Sequence, residues 1–169
     1  VRLGRSGNRV TSLVIRDEFT GTEYEAPARV VINAAGPWID EVWDADEGVR
    51  LPRMNGGTKG THLVVDPFPG APTDAFYYAA QADGRPMMVI PWRDRYLIGS
   101  TDLRFSGDLD MASATPDEYE YILRETNWVL PGAGLTSADV RYSFTGVRPL
   151  PYAEGDVAEE AEADLELHV

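Results

Sequence analysis

The chain has 169 residues, enough for one domain or slightly more, and 43% hydrophobic residues, enough to build a core. Its formal charge of −13 argues against a nucleic-acid partner, which needs a basic face. It has no cysteine, which removes disulfides, thiolate zinc sites and a thiol nucleophile together, and suits a reducing compartment.

About half of the negative charge is local. Seven acidic residues and no basic one lie between Glu154 and Glu166, and this tail reads as solvated. No run approaches the roughly 20 apolar residues of a membrane helix, and the N-terminus is not a signal peptide. The first residue is Val1 rather than methionine, so the chain reads as cut from something longer.

Residues 9–32 read as a β-meander. Arg9 to Arg16 alternates in polarity, Asp17 to Thr22 supplies turn chemistry around Gly21, and Glu23 to Ala26 returns before Pro27. Arg29 to Asn33 then carries Val30, Val31 and Ile32, a β-branched run that predicts a strand buried on both faces of a parallel sheet. Ala34, Ala35 and Gly36 follow, small enough to let a ligand approach the backbone, or to form an ordinary turn after a core strand. Pro37 to Trp43 predicts a short helix with proline at an early position.

The segment Met54 to His62 is glycine-rich and leads into a strand over Leu63 to Asp66. Gly56-Gly57-Thr58-Lys59-Gly60-Thr61-His62 fails the phosphate-loop template, because Lys59 precedes a glycine and a strand follows instead of a helix. A loop that aims Lys59 or His62 into a cleft is the expectation. Ala75 to Ala80 and Pro86 to Pro91 predict strands, Arg93-Asp94-Arg95 a polar turn, and Tyr96 to Gly99 the return of a hairpin. Thr115-Pro116-Asp117-Glu118 has the form of a capping box, opening a helix that runs to about Val129, before Pro131-Gly132. Val140 to Arg148 predicts a last strand. Several antiparallel strands with few helices give an α+β fold built on a mixed, largely antiparallel sheet.

Two side chains stand out chemically. His62 is the only histidine outside the tail: either a hydrogen-bonded structural residue or, given its titration range, a proton-transfer group. No second histidine lies at metal-ligand spacing, so no metal site is expected. Arg148 lies between Gly146-Val147 and Pro149, on a backbone the proline pushes toward extension, which suits capture of a carboxylate or phosphate. A surface salt bridge is the alternative. Gly99-Ser100-Thr101-Asp102 reads equally as a plain hairpin end.

Four blocks together resemble the FAD-dependent glycerol-3-phosphate dehydrogenases of the D-amino-acid-oxidase-like flavoenzymes. They are Val30 to Trp38, Thr58 to Val65, Val89 to Asp102 and Asp139 to Leu150, in family order. The resemblance implies that residues 1–40 are part of an FAD-binding Rossmann-like domain, 41–151 a substrate-binding domain and 152–169 the acidic tail. It implies FAD held by Val1, Ala34, Ala35 and Gly36, with His62 at the substrate side of the flavin to transfer a proton or orient the substrate, and Arg148 on the substrate's phosphate. The implied reaction oxidises sn-glycerol 3-phosphate to dihydroxyacetone phosphate, with electrons passing to FAD and then to a quinone. A cytoplasmic protein is implied, with peripheral attachment to the inner face of the cell membrane and a homodimer left open. The family's G-x-G-x-x-G fingerprint is absent, so an isolated 169-residue chain is expected to be inactive. Two alternatives stand: a related flavin oxidase acting on amino or hydroxy acids, and a non-catalytic β-rich binding domain.

Overall fold

A computed structural model describes residues 2–7, 9–44 and 51–152. By packing, the chain falls into two compact units, residues 1–57 with 149–169, and residues 58–148. This division follows contacts, whereas the division expected at residues 40 and 151 concerned cofactor and substrate roles.

The first unit holds a three-stranded antiparallel meander: β1 (Arg2–Ser6), β2 (Arg9–Arg16) and β3 (Glu23–Pro27), in the order β1-β2-β3. The turn from β2 to β3 forms as its residues dictate. The Asp17 side chain accepts the Phe19 N–H at 2.8 Å, and the Gly21 N–H reaches the Asp17 carbonyl at 2.7 Å. Sequence patterning missed β1, a short polar strand that buries none of its residues.

The expected buried strand over Arg29 to Asn33 does not form. Residues 28–35 have no regular structure, and Val30 and Ile32 are 77% and 84% exposed. A β-branched run becomes a strand only when neighbouring backbones satisfy its N–H and C=O groups. No strand pairs with it among the described residues, and no parallel pair is found there. The chain then enters a 3-10 turn (Gly36–Trp38) and the short helix α1 (Ile39–Asp44), as the position of Pro37 predicted. Asp40 ties this helix to the following loop by accepting the N–H groups of Met54 at 2.9 Å and Asn55 at 3.0 Å. Asn55 returns a bond to the Pro37 carbonyl at 2.8 Å.

The second unit is a six-stranded antiparallel sheet with one helix. Its strands are β4 (Thr58–Val65), β5 (Phe76–Ala79), β6 (Pro86–Trp92), β7 (Arg95–Gly99), β8 (Leu103–Arg104) and β9 (Val140–Arg148). The path runs β5-β6-β7-β4-β8, with β9 along the other edge of β4. β4 is therefore the axis: β7 pairs with His62 to Val65, β8 with Thr58 and Lys59, and β9 with the whole length. Period-2 alternation sends Leu63 and Val65 into a core with Met87, Val89 and Ile98. Ile122 and Leu123 of α2 (Pro116–Val129) close that core from one side of the sheet. The Thr115–Glu118 capping box forms as expected, and the helix ends at Leu130, ahead of Pro131.

The strand expected from Leu63 begins earlier, at Thr58, so the supposed glycine-rich loop is half strand. Its glycine, lysine and threonines carry little strand signal alone, and pairing on both edges overrides that weakness.

Candidate functional site

Alternation along β4 separates Lys59 from His62. Lys59 and Thr61 project toward α2, while Gly60 and His62 project from the opposite face. Lys59 is not aimed into a cleft beside His62. Its ammonium is buried, 2.8 Å from the Glu118 carboxylate, and donates to the Ser113 carbonyl at 2.9 Å.

Glu118 anchors a polar cluster inside the sheet–helix layer. One carboxylate oxygen accepts the hydroxyls of Thr61 at 2.8 Å and Thr101 at 2.7 Å; the other accepts the Thr115 N–H at 2.9 Å. Burial pushes this carboxyl up, but the bonds from Lys59, Thr101, Thr115 and Thr61 outweigh it and hold it below 4.5. Thr101 is further stitched to β4, its hydroxyl accepting the Thr61 N–H at 2.9 Å and its own N–H reaching the Thr61 carbonyl at 3.3 Å. The loop after β7 is thereby fixed to the strand axis.

The opposite face carries His62 and Arg148. His62 is half-buried and stacks on Phe144, its partner across β4 and β9, with ring centres 5.2 Å apart and planes 12° from parallel. Burial first, and the positive charge of Arg148 second, lower the imidazole below its ordinary 6.5 and so favour its neutral form. A neutral imidazole can accept a proton. Arg148 ends β9, and its guanidinium lies against Gly60, where an added Cβ would collide with both terminal nitrogens and the central carbon of the group. Gly60 and His62 are two residues apart on β4, about 7 Å along the strand. Imidazole and guanidinium thus share one sheet face. Gly146, opposite Gly60 across the ladder, leaves open space at its own Cβ position.

Arg148 is held from the side of the β7–β8 loop. It donates to Asp102 Oδ1 at 2.9 Å, to Ser100 Oγ at 2.9 Å and to the Thr101 carbonyl at 3.3 Å. The surface salt bridge considered from sequence is therefore present, as one part of a larger arrangement. Neither Ser100 nor Asp102 was singled out by sequence reasoning; a small polar Gly-Ser-Thr-Asp run ending a hairpin was the available signal. A hollow of about 630 Å³ along α2, lined by Tyr119, Leu123, Arg124 and Leu135 among others, holds neither His62 nor Arg148.

In the first unit, Ala34 is exposed, and Ala35 and Gly36 are half-buried in the loop before α1. Gly36 has φ +59°, a left-handed conformation that glycine adopts freely, and nothing stands within 4 Å of where its Cβ would be. Asn33 shapes this loop, accepting the Ala35 N–H at 3.2 Å and donating to the Ile39 carbonyl at 2.9 Å. The loop's backbone is thus open to solvent-side approach at Gly36. Val1 lies outside the described residues.

Known proteins resemble the chain over most of its length. The chain is 46% identical over 159 residues to a glycerol-3-phosphate dehydrogenase of Synechocystis, covering 89% of this chain and 29% of that protein. It is 34% identical over 142 residues to an alpha-glycerophosphate oxidase of Enterococcus casseliflavus, covering 83% of this chain and 23% of that protein. Among solved structures, the glycerol-3-phosphate dehydrogenase of Bacillus halodurans complexed with FAD superposes with a TM-score of 0.82 at 32% identity. That match covers 90% of this chain and 30% of that one. A glycine oxidase from Bacillus cereus, 17% identical with a TM-score of 0.58, shares the fold over 89% of this chain and 36% of its own. The chain thus spans about three tenths of the length of the first of these curated relatives. The family described as FAD dependent oxidoreductase (DAO) matches residues 2–164, nearly the whole sequence, and the chain belongs to that family.

Proposed function

We propose that this chain forms part of an FAD-dependent enzyme that oxidises sn-glycerol 3-phosphate to dihydroxyacetone phosphate. The observation that carries the reading is the pairing of a half-buried histidine and a fixed arginine on one face of the β4–β9 ladder. The names of the relatives, glycerol-3-phosphate dehydrogenase and alpha-glycerophosphate oxidase, support the same substrate.

Bound FAD supplies the acceptor for the hydride lost from C2. Ala34, Ala35 and Gly36 would hold it through backbone groups, where the structure leaves open space at Gly36. Arg148 binds the phosphate, with charge-assisted donors that fix which carbon is presented. His62 accepts the proton of the C2 hydroxyl as the carbonyl forms, a role its lowered pKa allows at neutral pH. Phe144 holds the imidazole plane by stacking.

Electrons pass onward to a quinone in this reading, and a cytoplasmic protein peripheral to the inner membrane face would suit such an acceptor. The enterococcal relative's designation as an oxidase makes dioxygen the competing acceptor. Substrate choice is tested by mixing the complete flavoprotein anaerobically with glycerol 3-phosphate, glycine or 2-hydroxyglutarate and following flavin absorbance. Bleaching by glycerol 3-phosphate alone is expected. Bleaching by a carboxylate substrate in its place would reassign Arg148 to a carboxylate.

A further inference from the structure

We infer that Asp102 is a positioning residue for Arg148, and that the β7–β8 loop and Gly60 together form a clamp that sets the guanidinium before any anion arrives. The inference rests on the proposed anion-binding role of Arg148 and goes beyond it. A free arginine at a strand end samples many rotamers and loses that freedom on binding. Here the loss is already paid.

The guanidinium plane lies over Gly60, because its two terminal nitrogens and central carbon stand at nearly equal distances from that residue's Cβ position. Only a residue without a side chain permits this approach. Ser100 Oγ and the Thr101 carbonyl take both protons of one terminal nitrogen, and Asp102 takes one proton of the other. Two of the five donors, Nε–H and one on Nη1, remain for a ligand among the described residues.

The clamp is itself fixed. Thr101 is bonded to Thr61 and to buried Glu118, and Arg85 donates to the Asp102 carbonyl at 3.2 Å. Loop residues that reach Arg148 are therefore immobilised from both the core and the surface. Because the Asp102 side chain is 54% exposed, its replacement leaves the core intact.

The test uses the complete, FAD-loaded protein and steady-state kinetics with glycerol 3-phosphate. Asp102→Ala is expected to raise KM by about tenfold or more, the scale of one charge-assisted contact, while kcat stays within about threefold. Asp102→Asn keeps an acceptor at the same place and is expected to restore KM to within about threefold of the parent. Gly60→Ala, whose methyl group displaces the guanidinium and leaves the backbone free, should reproduce the KM effect with little change in Tm. Adding Asp102→Ala to Arg148→Ala should cost nothing further, since a residue that acts through Arg148 has nothing left to hold. The inference is overturned if Arg148→Ala raises KM whereas Asp102→Ala and Gly60→Ala leave it unchanged. It is equally overturned if Asp102→Ala lowers KM, because Asp102 would then compete with the phosphate. An unchanged KM in Arg148→Ala would remove the anion-binding role itself, and the clamp with it.

Discussion

Val30-Val31-Ile32 and Leu63-Val64-Val65 are two apolar, largely β-branched runs of equal length. One stands in solvent with Ile32 84% exposed; the other is the axis of a sheet, with Leu63 and Val65 fully buried. Composition does not separate them. Leu63 to Val65 have β7 on one side and β9 on the other, whereas residues 30–32 have no paired neighbour among the described residues. Strand propensity is thus permission to pair, and the partner decides.

The contrast is sharpest at the polar cluster that β4 carries on its core side. Glu118→Ala strands the Lys59 ammonium in the interior and should cost about 3–5 kcal/mol in chemical denaturation, the scale for breaking one side of a buried ion pair. Because the carboxyl is held below 4.5 in the fold, its contribution is present above that pH and is lost as pH falls through the lowered value. Glu118→Gln should therefore flatten the acid limb of the stability profile. A loss of under 1 kcal/mol in Glu118→Ala would show that the cluster is solvated.

Next in size is the direct comparison of the two runs in the 169-residue chain. Leu63→Ala should destabilise by about 2–5 kcal/mol, whereas Ile32→Ala should stay within about 0.5 kcal/mol. A large loss from Ile32→Ala would reveal a partner for residues 30–32.

This contrast also shows how much could be read from residues alone. α2 was legible because its signal is local: Thr115 and Glu118 satisfy each other's backbone within one turn. β9 was legible because β-branched and aromatic residues (Val140, Tyr142, Phe144, Thr145, Val147) recur along it up to Pro149. The first half of β4 was not, since Gly60 looks like a loop residue until Arg148, far along the chain, is laid over it. Arg148 and His62 were visible as isolated candidates through their flanking residues and rarity. Their placement on one face, and the grip of Ser100 and Asp102, depend on register between β4, β7 and β9. Register between distant strands leaves no local trace.

A smaller effect concerns His62. Its NMR titration should have a midpoint below 6.5, and Arg148→Met should move that midpoint upward by removing the second of the two causes that lower it. A wild-type midpoint at or above 6.5 would mean that the ring is more solvated than the stacking on Phe144 implies.

The most direct measurement is the KM of the complete flavoprotein for glycerol 3-phosphate with and without Arg148. Arg148→Ala should raise KM by about tenfold to a hundredfold, the equivalent of one charge-assisted phosphate contact. An unaltered KM would show that the arginine at the end of β9 does not grip the substrate's anion.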